Sequence, residues 1–415
     1  MNFTQDLTTP WSFWTKVLFR FIFLYATTYI FLMFGSRLFE GLFVWIGENI
    51  LHTEGKLEYF MTGSGDTTMA YISLVFQIFL MVLGSIIWTA IDRKRVSYNT
   101  LFYWLTVLLR MFLIFFMFTY GFVKIYKTQF AGPSLMRLLQ PVGDLSPMGL
   151  AWTYMAQSEG FNIFVGAMEV IGGLLLIPRR TVTLGAFITM GVMFHVAMMN
   201  LFYDIPVKLF SINLFVLAAI LFFKDIKRFT NVFIKNKDAM AVNYYTPVVD
   251  KVYHKVIFWF KLVCTLGLVA IMCFQGYSRE RNFGDKREKP EFYGIWEVTH
   301  FVKNSDTLPP LITLNDRWRY LVIDQKNYAN VKMINDSINY YSFKLDSNLT
   351  KVSIRKRNDT TVTNNFTIQK KDSLLTLSGI LDSDTLLIKC KSRDLSKIRL
   401  INRGFHWVNE YPYNR

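Results

Sequence analysis

Seven stretches of this sequence, at about 13–34, 69–91, 98–121, 160–178, 181–201, 206–223 and 255–275, are apolar over the length a helix needs to cross hydrocarbon. A bilayer core of ~30 Å takes roughly twenty helical residues, since each adds ~1.5 Å. The runs therefore predict a membrane bundle of about seven helices. The first begins too far from the N-terminus and runs too long for a cleaved signal peptide, so it reads as an anchor. Composition agrees with this setting. Hydrophobic residues make up 52% and charged residues only 18%, yet the net charge is +16. Such a basic excess can mark a nucleic-acid binder, but here the cations gather at the ends of the apolar runs. That is how membrane proteins set their topology, and no nucleic-acid partner is expected.

With the N-terminus inside, fourteen Lys and Arg fall on the inner side of this scheme, among them Arg93, Lys94 and Arg95. Six fall outside: Arg37, Lys56, Lys124, Lys127, Arg137 and Lys208. The distribution predicts an inside N-terminus and, after seven crossings, an outside C-terminus. Three outer segments stand out. Residues 36–52 space apolar positions by three and four, as in a helix lying on or re-entering the membrane. The hydroxyls of "TGSGDTT" (62–68) suit a cap for the second span. Residues 122–159, around "QPVGDLSPMGL", form a loop long enough to be functional or to pack as a cap over the bundle.

Near residue 280 the pattern changes, dividing a helical domain (1–279) from a β-rich one (280–415). "YGIWEV", "RYLVID", "NVKMIN", "YYSFKL", "TKVSIRK", "NFTIQ", "LLTLSG" and "TLLIKCK" are short β-rich pieces separated by Asn, Asp, Ser and Gly turns. They predict an all-β antiparallel sandwich or up-and-down barrel. The Gly-x-Trp of "YGIWEV" resembles the start of lipocalin-like barrels. The closing "RGFHWVNEYPYNR" reads as an aromatic tail packed on the domain or on the membrane surface.

Candidate chemistry lies where ionisable groups meet apolar runs. Arg110 sits midway along the third span and Glu169 midway along the fourth, with His195 two-thirds of the way outward along the fifth. A charge near the bilayer centre costs a few kcal/mol and needs a partner, so Arg110 and Glu169 are expected to pair. Such a pair either fixes helix packing or forms, with His195, a polar site for a ligand head group or a proton path. Asp66, Asp144, Asn200, Asp204 and Lys208 belong to the outer face. They read either as turn chemistry, with Asp204 capping the helix that Pro206 opens, or as a polar vestibule. Cys264, Cys273 and Cys390 form no CxxC pair and the five histidines are scattered. Neither a structural metal site nor dithiol chemistry is expected.

Gly166-x-x-Glu169, then Gly172-Gly173 with Leu174, Leu175 and Leu176, a basic turn, and Leu184-Gly185-Ala186 together resemble the DoxX-like family of bacterial membrane proteins. The likeness is tight from Gly166 to Phe187 and looser over about 98–224. "QPVGDLSPMGLAWTYM" and "NLFYDIPVKLFS" are similar to the longer Bacteroidota members. The resemblance implies a four-helix core in a bacterial inner membrane, with Glu169 as the family's intramembrane acid and the glycines as packing residues. It also implies, for some members, quinone-coupled oxidation of thiosulfate or membership of membrane oxidoreductase complexes. Three further spans and the β-domain depart from the family pattern.

These readings define the expected functions. One is an integral component of an envelope complex, in contact with lipids and presenting 280–415 to a protein partner. Another is a quinone-linked membrane oxidoreductase or a subunit of one, with Arg110 or His195 as donors to the quinone carbonyls. No haem, flavin, iron–sulfur or thiol motif is present to supply electrons to it. A third is a proton-coupled or lipid-binding transporter.

Overall fold

A computed structural model of the chain describes residues 10–55, 57, 62–239, 245, 247, 250–357, 359 and 361–414. Two compact units emerge: Met1–Gln129 with Gly160–Ser278, and Phe130–Glu159 with Arg279–Arg415. The segment Phe130–Glu159, read from sequence as an outer loop of the helical domain, thus folds with the β-rich part.

The first unit is helical: α1 (Phe13–Gly35), α2 (Glu40–Asn49), α3 (Thr68–Ile91), α4 (Asn99–Ile125), α6 (Glu159–Leu175), α7 (Val182–Phe202), α8 (Lys208–Phe223), α9 (Ile226–Phe233) and α10 (Lys251–Asn282). Each of the seven apolar runs forms a helix. Among the described residues five of these helices are long and apolar enough to cross a membrane, or six if α8 and α9, bent by 72°, count as one span. α6 has 17 residues, about 26 Å, and falls short of a ~30 Å core. Exposed large apolar side chains cover the helices: Ile78, Phe79 and Ile86 on α3, and Phe258, Trp259, Val263 and Phe274 on α10. Apolar surface on that scale belongs against lipid, and the chain is a membrane protein.

Local signals explain the helix starts. Ser12 accepts from the Thr15 amide to cap α1, and Thr67 accepts from Ala70 to cap α3. α1 continues through a 3₁₀ turn (Ser36–Phe39) into α2, which buries Phe43 and Ile46 against Met69 and Ile72 of α3. At the end where α1 begins and α3 stops, Arg20 is only 2% exposed. Its guanidinium donates to the Tyr98 hydroxyl, the Thr89 hydroxyl and the Asp92 carbonyl, and so ties α1, α3 and the α4 entry together.

In the second unit, eight antiparallel strands follow one another: β1 (Gly294–Lys303), β3 (Trp318–Gln325), β4 (Tyr328–Met333), β5 (Ile338–Leu345), β6 (Lys351–Lys356), β7 (Asn364–Lys371), β8 (Leu374–Leu381) and β9 (Asp384–Ser392). A two-residue strand, β2 (Asp306–Thr307), folds back on β1. Pairing of β1 with β9 closes the sheet, so the barrel is realised rather than the sandwich. Hairpin turns use Asn304, Asn327, Asp336, Asp372 and Asp382 at positive φ, which Asn and Asp tolerate best after glycine. Alternate residues point inward. Trp296, Phe301, Trp318, Phe366 and Cys390 share one packed interior, and burial pushes the Cys390 thiol up to about 12.

The opposite face of β1 and β3 is also covered. Ile295, Tyr320 and Val322 pack with Leu135, and Met136, Leu138 and Leu139 extend that cluster. Polar bonds fasten the same segment. Asp324 accepts from the Leu135 amide at 3.1 Å and from Arg287 at 2.6 Å, while Lys332 donates to the Leu139 carbonyl. A short helix, α5 (Pro147–Gln157), follows, capped by Ser146. The aromatic tail does not pack on the barrel: Trp407 is 90% exposed, and Phe405 and Tyr411 are also open.

Candidate functional site

The bundle's most buried charge, Glu169, sits where α4 crosses α6. A Cβ at Gly121 would lie 2.8 Å from the Gly166 carbonyl oxygen, and one at Gly166 would lie 2.5 Å from that of Gly121. Only glycine permits backbones this close. One turn beyond each glycine stand Lys124 and Glu169. The Lys124 ammonium donates to both carboxylate oxygens of Glu169 at 3.0 Å. Glu169 is fully buried and Lys124 is 5% exposed. The ammonium also lies 5.5 Å from the centre of the Tyr120 ring.

This corrects the expected pairing of Arg110 with Glu169. Gly121 lies against Gly166, and Phe118 against Gly173, which sets Glu169 level with residues 119–121. Arg110 is about ten residues away, ~15 Å of helix. It instead donates through Nε to the Leu176 carbonyl at 2.7 Å and through Nη2 to that of Ile177, at the C-terminal end of α6. There the unpaired carbonyls and the negative end of the helix dipole favour a cation. Lys124 was legible as its replacement. It continues the buried line Leu113, Met117, Gly121, and α4 runs on to Ile125, past the expected end at 121.

His195 is not part of that site either. α7 buries Met193, Ala197 and Asn200, and a residue two places from the first two points the other way, so His195 is exposed. Asn200 lies between α7 and α8, donating to the Ser211 hydroxyl at 2.9 Å.

The outer-turn residues are only partly brought together. Asp66, not Asp204, caps α8: its carboxylate accepts from the amides of Lys208 at 2.7 Å and Leu209 at 3.0 Å. The Gly65 amide bonds the Pro206 carbonyl and holds the 62–68 turn in place for this. Asp204 adopts positive φ and pairs with the Lys208 ammonium at 2.8 Å. Asp144 lies in the other unit, exposed, so the expected vestibule reduces to Asp66, Asp204 and Lys208.

Beside this turn, α1, α3, α4 and α8 enclose a cleft of about 370 Å³. Leu32, Met33, Leu74 and Phe210 make much of its wall; Gln77, Asn213, Tyr29 and Tyr120 supply polar atoms. The Tyr25 hydroxyl behind it donates to Asn213 at 2.5 Å, and Gln77 donates to the Tyr25 carbonyl at 3.2 Å. The hydroxyls of Tyr29 and Tyr120 have no partner among the described residues. Tyr120 also joins the cleft to the Lys124–Glu169 pair. Sequence reasoning missed these tyrosines, because their common cleft depends on packing between distant helices.

No family model and no solved structure matches the chain. The protein of Bacillus subtilis (strain 168) named uncharacterized protein YwoB is 32% identical to it over 124 residues, 30% of this chain and 79% of that protein. The chain belongs to the YwoB family. The name YwoB carries no activity, and the YwoB-like stretch takes in under a third of the chain.

Proposed function

We propose that this protein is an integral component of the bacterial cell envelope whose helical unit binds a small lipophilic molecule carrying hydrogen-bond acceptors, a quinone by class. The observation that carries this reading is the cleft with two unpartnered phenols. Its volume lies in the range of sites for small ligands, and its wall is apolar with few polar groups. Tyr29 and Tyr120 would donate to the ring carbonyls, and Phe210 would offer an aromatic face. Arg110 and His195, the donors expected from sequence, do not line it. The test is purification in mild detergent, followed by quinone extraction and mass spectrometry. A quinone near one per chain is expected. Tyr29→Phe with Tyr120→Phe should weaken its retention about 30-fold, from two hydrogen bonds at ~1 kcal/mol each. An empty wild-type protein, or a double variant that holds quinone equally well, would refute the reading.

The membrane core in this proposal is the DoxX-like stretch at 98–224 in a bacterial inner membrane. The N-terminus is cytoplasmic, and the barrel is periplasmic, meeting a protein partner through its outer surface. Two observations support the arrangement. The outer side carries six cations against fourteen on the inner side (Lys56, one of the six, lies outside the described residues). The barrel interior is filled by its own side chains, which leaves its exterior for contacts. Reporter fusions after residues 95, 180 and 240 should read cytoplasmic, and one after 415 external. A cytoplasmic signal from the last would reverse the topology.

A further inference from the structure

Five cations gather at the end of the helical unit opposite the cleft. Arg110, 8% exposed, is held by carbonyls of the turn after α6. Arg179, in the same turn, donates to the Tyr103 hydroxyl at 2.6 Å and stacks over that ring at 5.0 Å. Tyr103 lies seven residues before Arg110, two turns along one face of α4. Lys224 ends α8 with its side chain 14% exposed, and Arg228 follows on α9. Lys261 of α10 completes the group. Arg110 repels Arg179, Lys224 and Lys261, and Lys224 repels Arg228, so the five lie within electrostatic reach of one another.

What they lack is counter-charge. Arg110 and Arg179 are positioned by neutral acceptors, carbonyls and a phenol. Asp225 is the one carboxylate paired in the group among the described residues, 3.4 Å from Lys224 and bonded by the Thr183 hydroxyl. The Arg228 Nε is buried without a partner among the described residues. Like charges gathered in a partly dry place are costly unless an anion joins them, and guanidinium with ammonium is the donor set that suits phosphate. Basic pockets between membrane helices bind the phosphate groups of anionic lipids by this chemistry.

We infer that Arg110, Arg179, Lys224, Arg228 and Lys261 form a binding site for a phosphate group at the membrane–water boundary. A phospholipid head group and a free phosphate present the same chemistry, and the experiment separates them. The full-length protein in neutral detergent would be melted alone and with phosphatidylglycerol, with inorganic phosphate, or with oleate, an anionic lipid lacking phosphate. The same series would be run on Arg179→Gln with Lys261→Gln, which leaves Arg110 on the end of α6.

A bound anion stabilises the state that binds it, so the wild-type midpoint should rise with phosphate and fall back as salt is added. A rise with phosphatidylglycerol that the double variant loses assigns a lipid. A rise with inorganic phosphate that the variant loses assigns a free anion. No rise with either, an equal rise in the variant, or an equal rise with oleate overturns the assignment to phosphate. The variant's own melt without additive must match wild type. Should it not, Lys261→Gln alone is run through the same series and judged by the same outcomes.

Discussion

Replacing Glu169 with leucine should lower the stability of the helical unit by about 3–5 kcal/mol, because it strands the Lys124 ammonium where only 5% of the residue meets solvent. Lys124→Met should cost a similar amount by stranding the carboxylate. The double variant should recover much of the loss, since two apolar side chains of like volume can replace a buried pair. Thermal midpoints of the four proteins in one detergent make the double-mutant cycle. If either single variant melts with wild type, the pair is not buried as described. Ligand content gives the cycle a second readout. Tyr120 touches both the ammonium and the cleft, so the double variant should regain stability while retaining less quinone than wild type. Full recovery of both would confine the pair to packing.

Trp318→Ala should cost the barrel about 3–5 kcal/mol, a large share of the ~5–15 kcal/mol usual for a domain. Trp318 is among the largest fully buried side chains, set between Phe301 and Tyr341. Cys390 reports the damage directly. Its thiol lies in the same interior, closed to reagents while the barrel is closed. In a Cys264→Ser, Cys273→Ser background, alkylation of Cys390 should quicken about a hundred-fold or more in the alanine variant. That factor follows if opening is limited by the lost energy, at 1.4 kcal/mol per tenfold. An unchanged rate would show that the indole does not hold the barrel shut.

What was legible in the sequence was local. A run of twenty apolar residues or an alternating strand carries its own signal, and the seven helices and eight barrel strands lie where those signals stood. Side-chain partnerships were not local. Arg110 and Glu169 were matched by sign and depth, but Gly121 and Gly166 set the helix register and give the carboxylate to Lys124. Arg110 looked as if it required an acid, when the carbonyl end of a helix sufficed. The cap of α8 comes from Asp66, 142 residues before Lys208. His195 is a different kind of miss. Its surroundings on α7 are apolar all round, and only packing shows that Met193, Ala197 and Asn200 face inward.

The anchoring of Leu135 on the barrel has a consequence for biosynthesis. The ribosome finishes this segment some 250 residues before it finishes β9 at Ser392, so Leu135, Met136, Leu138 and Leu139 exist long before the strands they cover. At ~5–20 residues per second the wait is roughly 13–50 s. During it an apolar strip in the segment between α4 and α6 waits for the face that it covers. α10 is also made before the strands that receive the strip. The strands fill the barrel interior themselves, but the outer face of β1 and β3 stays uncovered until Leu135 reaches it. That face closes only when a segment made early meets one made late, and any helper that shields the strip has to let go at that moment.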